Sequence, residues 1–323
     1  MAIPSKILIV GATGSIGKII TEALLGAKPP VADQISILTS TTTASGKDKE
    51  ALLSSWKSQG LSVITGDINN AEDVSKAYQG FDTVVSCLGR GSLAVQTELV
   101  RVAEETESVE WFFPSEYGTD IEYDATSKDE KPHQMKLKVR AFIRDHVKRV
   151  KCTYLVTGPW IDFFLDLRPP LEMTGGYDVT AQRAVVVVGD DGSDGQVGFT
   201  SMSDVGKLMV AALRHPEEAM GQILRVQSFV TTPKTIVEEF KKQTGADWRV
   251  EETKLSDLGA LEKKMWDAGN PVATGATLRR IWASGRTLYD KTDNEKLGLK
   301  DQDMESLSSA VERHIGEAKK SKL

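Results

Sequence analysis

This 323-residue sequence predicts an α/β fold, a doubly wound parallel sheet with helices on both faces. Three observations carry the prediction. Strand-sized apolar runs alternate with helix-length amphipathic segments through the first half, as in a chain of strand–helix–strand units. The runs are apolar at consecutive positions, as strands buried on both faces must be. A glycine-rich turn joins the first strand directly to the first helix. Composition agrees, with 40% hydrophobic and 27% charged residues and a net charge of −6. That is enough apolar material for a full core, and the acidic balance argues against a nucleic-acid partner. The longest apolar runs, Ile7-Leu8-Ile9-Val10 and Ala184-Val185-Val186-Val187-Val188, are strand-sized, so no membrane span is expected. A strand within six residues of Met1 leaves no room for a signal peptide, and two cysteines, Cys87 and Cys152, exclude a disulfide scaffold. A reducing compartment, by default the cytoplasm, is expected.

The elements follow in order. Strands are read at 6–10, 34–39, 61–65, 82–87, 111–114 and 153–157. Apolar residues recur at helical spacing over 16–25, 49–56, 93–104 and 134–147, and 39–45 is a short polar run. Gly158-Pro159 then breaks the rhythm, Thr174-Gly175-Gly176 follows, and later strands shorten. A helix is expected from a cap at Ser203-Asp204 to Leu213, and another from Thr232-Pro233 to about Gly245, with proline in the first turn. The division drawn is residues 1–158 and residues 159–323, with segments of the second part returning to the main sheet.

Gly11-Ala12-Thr13-Gly14-Ser15-Ile16-Gly17 is the turn after the first strand. Gly11, Gly14 and Gly17 permit a tight turn, close approach of a pyrophosphate and packing of helix on strand, while backbone amides of Thr13, Ser15 and Ile16 open the helix toward the phosphates. The position favours dinucleotide binding in a Rossmann domain over an ordinary glycine-rich turn, and makes 1–158 the cofactor-binding half and 159–323 mainly a substrate-binding subdomain. The end of the second strand selects between cofactors: an acidic residue would bond a ribose 2′-hydroxyl, a basic one a 2′-phosphate. Here Leu38-Thr39-Ser40-Thr41 carries no carboxylate, and Lys47 and Lys49 follow.

The GATGSIG turn resembles the short-chain dehydrogenase superfamily, particularly its atypical branch. Further segments narrow the likeness: Lys49-Glu50-Ala51-Leu52-Leu53, Trp56-Lys57 and Gly60; Gly66-Asp67-Ile68; Gly80-Phe81-Asp82-Thr83-Val84-Val85-Ser86; Gln96; Phe113-Pro114-Ser115-Glu116-Tyr117-Gly118; and Lys136-Leu137-Lys138-Val139-Arg140. Together they resemble the NmrA-like group, and within it the isoflavone reductase and phenylcoumaran benzylic ether reductase family, over residues 6–165. The resemblance implies NADPH as cofactor. It implies contacts from the glycine turn, from Ser40, Lys49, Asp67 and Ile68, from Ser86, Leu88, Gly89 and Gln96, from Pro114, Ser115 and Glu116, and from Lys136, Gly158 and Pro159. It also implies that Lys136 is the catalytic lysine. The family usually ends its second strand with an arginine, where this chain has Ser40, and residues 122–132 follow no family pattern.

From the residues alone, Lys136 is one of several cations in its helix, alongside Lys138, Arg140 and Arg144. An amine held among apolar walls and other cations has a lowered pKa, which suits proton exchange with a substrate oxygen. The commoner Tyr-x-x-x-Lys device is absent, since Tyr117 is followed four residues on by Ile121 and Tyr123 by Ser127. His133, His146, His215 and His314 have no partners at metal-ligand spacing, so no metal is expected. His133, one turn before Lys136, is a candidate for the substrate pocket. So are Trp160, Phe163 and Phe164, which follow the carboxyl end of a strand. Ser321-Lys322-Leu323 matches the peroxisomal address. The expected function is an NADPH-dependent reductase of a small aromatic, quinone-like or enone compound of secondary metabolism. The alternatives are a dinucleotide-sensing regulator and a scaffold that has lost substrate. Self-association as a homodimer is entertained, though no residue pattern fixes it.

Overall fold

The computed structural model describes residues 4–167 and 172–320, so Ser321-Lys322-Leu323 lie outside the described residues. The first half runs β1 (Lys6–Val10), α1 (Ser15–Gly26), β2 (Gln34–Thr39), α2 (Thr41–Ser45), α3 (Lys47–Ser58), β3 (Ser62–Thr65), α4 (Ala71–Tyr78), β4 (Thr83–Ser86), α5 (Gln96–Glu105), β5 (Trp111–Phe113), α6 (Gln134–His146) and β6 (Lys151–Cys152). These six strands form one parallel sheet in the order β3-β2-β1-β4-β5-β6. The order reverses between β1 and β4, and ligands of open α/β sheets bind at the carboxyl ends of strands at such a switch.

Alternation along each strand explains the continuous apolar runs. Ile7, Ile9, Ile37, Val85 and Phe113 enter a core built with α1, α3 and a helix of the second half, Met202–Arg214. Their neighbours Leu8, Val10, Leu38, Val84 and Phe112 enter a second core built with α4, α5 and α6. The apolar residues of the central strands β1, β2 and β4 therefore divide between the two cores.

The sequence-predicted strand 153–157 divides at Thr153. The Thr153 amide donates to the Phe112 carbonyl at 2.9 Å, whereas the Tyr154 amide donates to the Gln222 carbonyl at 2.9 Å. From there β7 (Tyr154–Val156) pairs in parallel with a strand from the second half. The chain continues through α7 (Ile161–Phe164), β8 (Gly176–Asp178), β9 (Arg183–Val188), β10 (Val197–Phe199), α8 (Met202–Arg214), α9 (Pro216–Ala219), β11 (Ile223–Arg225), the partner of β7, and β12 (Phe229–Thr231). It ends with α10 (Pro233–Thr244), β13 (Arg249–Lys254), α11 (Leu255–Asp267), α12 (Ala273–Ala283) and α13 (Leu307–Lys320). β9 pairs with β13 in parallel and with β8 antiparallel, and β10 pairs with β12. A third core of Ile161, Phe164, Phe199, Phe240 and Val311 sits beneath them.

Other boundaries also shift. The helix expected at 93–104 begins as a 3-10 turn, Arg90–Val95, before α5. The polar run 39–45 contains α2, capped by Ser40. The cap of α8 is Ser201, whose hydroxyl accepts from the Asp204 amide at 3.2 Å, not Ser203-Asp204. Pro233, Thr232 and Gly245 do start, cap and end α10, with Gly245 at φ 65°.

Candidate active site

The turn between β1 and α1 needs two of its glycines for folding and leaves the third open. Gly11 has φ +82°, and a Cβ there would lie 2.8 Å from the Cys87 carbonyl oxygen. A Cβ at Gly17 would lie 2.2 Å from the Gly11 carbonyl oxygen, so only glycine lets α1 close on the turn. Gly14 has ordinary backbone angles, φ −74° and ψ 171°. A Cβ there would come no nearer than 3.4 Å to its protein neighbours, and the position faces a cleft. α1 has neither a side-chain cap nor an acidic residue in its first turn. Its first amides therefore lack partners within the helix and present the positive end of the dipole beside half-buried Thr13 and exposed Ser15, while Ile16 packs inward. This cradle fits a pyrophosphate.

Beyond β2 and β3, at the same edge of the sheet, stand the residues expected at the adenosine end. The Ser40 hydroxyl accepts from the Thr43 amide at 3.1 Å and is used as a cap. Lys49 lies on α3 with its Nζ 3.8 Å from the Asp48 carboxylate. Asp67 is exposed, accepts from the Asn69 backbone and side chain at 2.9 Å each, and is held below the usual carboxylate range by them. Ile68 packs on the second core.

At the other end a buried polar staple fixes the ends of β4 and β5. Gln96 Oε1 accepts from Ser86 Oγ at 2.9 Å and from the Ser115 amide at 2.6 Å, and Ser115 Oγ donates to the Leu88 carbonyl at 2.9 Å. Ser86 and Gln96 are fully buried and Pro114 is buried, so these expected contact residues shape the wall from behind. Leu88, Gly89 and Ser115 lie on the cleft itself.

Lys136 projects from the first turns of α6. Its Nζ donates to the Glu116 carbonyl at 2.8 Å and stands 3.9 Å from the Glu116 carboxylate. That carboxylate is itself gripped by Arg140, one helical turn on, at 3.2 Å and 3.4 Å. Arg140 also donates to Glu122 at 2.8 Å, lies 3.8 Å from Asp120, and covers the Tyr154 ring at 4.6 Å. Asp120 accepts from Arg225 at 2.8 Å. Burial first, then the charges of Arg90 and Arg140, pull the Lys136 amine below its ordinary value, while Glu116 opposes them. Arg140→Met is expected to destabilise the protein by about 3–5 kcal/mol, because Glu116 is left buried beside a weaker partner. Urea denaturation measures this as a lowered midpoint at unchanged slope.

Lys136 lies on the shared wall of two adjoining cavities. One, of about 330 Å³, runs from Gly14, Ser15 and Ile16 past Leu88 and Gly89. The other, of about 240 Å³, lies between Gly158-Pro159, His133 and α12. Arg90, Tyr117, Trp160 and Phe163 border both. Gly158 takes φ +65°, and its amide donates to the Gly118 carbonyl at 2.9 Å, which closes the cavity floor. His133 is 2% exposed, with Nδ1 at 3.1 Å from the Ser127 carbonyl and Nε2 without a partner among the described residues. A carbonyl only accepts, so Nδ1 carries the proton. Burial lowers the pKa of the ring, and Nε2 is left as an acceptor on the cavity wall.

Trp160 and Phe163 meet with ring centroids 5.7 Å apart at the cavity mouth. Phe164, expected beside them, instead enters the third core against Phe199 at 4.6 Å. On the short helix α7 adjacent residues point about 100° apart, so Phe163 and Phe164 do not share a face. Tyr117, named in the sequence only within its motif, lines the walls, as do Arg90, Leu278 and Trp282, which the sequence reading does not single out. Arg90 had a signal, following Gly89 at the carboxyl end of β4. Leu278 and Trp282 had none, because α12 reaches the site only through tertiary packing. The Tyr117 hydroxyl is buried beside the Cys87 thiol; burial pushes the tyrosine well above its ordinary pKa and the thiol up to about 12. Among the described residues no cluster of three His, Cys, Asp or Glu suits a metal ion, and no helix is long and apolar enough to cross a membrane.

Residues 4–268 match the NmrA-like family. Eugenol synthase 1 of Petunia hybrida is 30% identical over 217 residues, 67% of this chain and 67% of that protein. The isoflavone reductase of Pisum sativum is 27% identical over 271 residues, 81% and 82% of the two chains. Among solved structures, the binary complex of leucoanthocyanidin reductase with NADPH from Vitis vinifera superposes with a TM-score of 0.74 at 19% identity, covering 97% of this chain and 100% of that one.

Proposed function

Since this chain belongs to the NmrA-like family, we propose that it is an NADPH-dependent reductase of a small aromatic, quinone-like or enone compound of secondary metabolism. One observation carries the reading: the amine of Lys136 stands on the wall common to the phosphate-facing cavity and the aromatic one. The names of the relatives, eugenol synthase and isoflavone reductase, support it.

In this reading the first-turn amides of α1 would hold the pyrophosphate, and Leu88, Gly89 and Ser115 would line the cleft toward the nicotinamide end. Bound NADPH supplies a hydride to the substrate carbon. Lys136 is the catalytic residue and passes a proton between Nζ and the substrate oxygen. Its pKa, lowered by burial and by Arg90 and Arg140, makes that proton easier to release near neutral pH. Arg140 acts through Glu116, whose backbone carbonyl holds the amine in place. Trp160 and Phe163 receive an aromatic ring, and His133 Nε2 accepts from a substrate hydroxyl. Consumption of NADPH against a panel of enones, ketones and quinones tests the assignment; tight cofactor binding without turnover on any of them favours the dinucleotide-sensing regulator.

Cofactor choice rests on the absence of a carboxylate at Ser40 and on Lys49 nearby. Fluorescence titration is expected to give tighter binding of NADPH than of NADH, and Lys49→Ala to erode the gap. Equal affinities in the unmodified protein would remove Lys49 from the site. Peroxisomal residence is proposed from Ser321-Lys322-Leu323 alone, on the condition that Leu323 ends the translated chain. An N-terminal fluorescent fusion is then expected in peroxisomal puncta that disperse when Leu323 is deleted.

A further inference from the structure

Resting on the reductase reading, we infer that the ligand of the aromatic cavity is a single-ring aromatic acid whose carboxylate is bound by Arg90. The other cations of the site are matched. Lys136 and Arg140 share Glu116, Arg140 also holds Glu122, and Arg225 holds Asp120. Arg90 has no ion pair among the described residues, and its guanidinium makes one long hydrogen bond, 3.4 Å to the Pro132 carbonyl. Among the described residues, the walls of both cavities contain Arg90 and Lys136 and no aspartate or glutamate. Two cations at one cavity repel each other, and Arg90 is among the causes that lower the Lys136 amine. An anion beside Arg90 relieves that repulsion, and a carboxylate matches the guanidinium fork with two hydrogen bonds.

The remaining walls specify the rest of the molecule. Trp160, Phe163 and Trp282 offer ring faces and edges to a flat ligand. A cavity of about 240 Å³ falls below the ~300 Å³ at which pockets for drug-sized ligands begin, which admits one ring and its substituents. Lys136, held by Glu116, serves the reacting oxygen, so acid recognition and proton transfer fall to different cations.

Isothermal titration of the full chain with cinnamate and with its methyl ester separates charge from shape. Cinnamate is expected to bind at least tenfold more tightly than the ester. Arg90→Met should abolish that gap, and Arg90→Lys should retain part of it. Equal affinities for acid and ester, or no heat from either, overturn the inference. So does an Arg90→Met protein that loses NADPH affinity and keeps its preference for cinnamate, since Arg90 would then belong to the cofactor. The titration needs no turnover, so a preference for the acid without NADPH consumption on any acid or carbonyl overturns the reductase reading alone.

Discussion

Lys136→Met is expected to lower kcat by roughly 10² to 10⁴, the usual worth of a positioned acid or base. The loss should fall on kcat, with NADPH affinity almost unchanged, because the cradle at α1 lies at the far end of the cleft from the amine. Lys138→Met is the control. It removes the same charge from the same helix, but Lys138 is exposed and two residues along, on a different face. Steady-state kinetics of the two variants side by side decide the role. If both lose rate alike, the lysines of α6 act only as a cationic face, and the regulator becomes the better reading.

The second large effect separates folding from binding within one turn. Gly14→Val is expected to weaken NADPH binding by at least tenfold, since the new side chain enters the cleft where phosphate must approach. Its thermal midpoint should move little, because among the described residues the nearest atom to a Cβ there, outside the adjoining chain, is the Gly11 carbonyl oxygen at 3.4 Å. Gly17→Val should do the reverse in kind. A Cβ 2.2 Å from the Gly11 carbonyl oxygen forces backbone to move, an overpacking that costs about 1–3 kcal/mol or more and lowers the midpoint by several degrees. Calorimetry and cofactor titration on both variants give the comparison. A Gly14→Val protein with full NADPH affinity would show that phosphate does not sit over this turn.

The parts legible in the sequence are those governed by local rules. Alternation along β1, β2 and β4 forces consecutive apolar residues when both faces are covered, and Leu8 and Ile9 do part to opposite cores. The glycines announce the turn because a positive φ at Gly11 and the contact at Gly17 are set by backbone geometry within a few residues. The spacing from Lys136 to Arg140 is one helical turn, so their common face could be read from the helix alone. Thr232, Pro233 and Gly245 gave the bounds of α10 for the same reason.

Tertiary structure decided everything that depends on how elements dock. The strand predicted at 153–157 leaves the main sheet after Thr153 because β11 pairs with Tyr154–Val156, and nothing within those five residues encodes that partner. Phe163 and Phe164 are chemically alike, yet one opens onto the cavity and the other fills the core, since α7 can present only one of them to each. The walls contributed by Leu278 and Trp282, and the ion network that leaves Arg90 without a carboxylate among the described residues, join residues far apart in the chain. Side-chain chemistry and local period fix which elements form and which face each one buries. Contacts across elements are set by the packing of whole helices and strands, a global property that no short stretch of sequence carries.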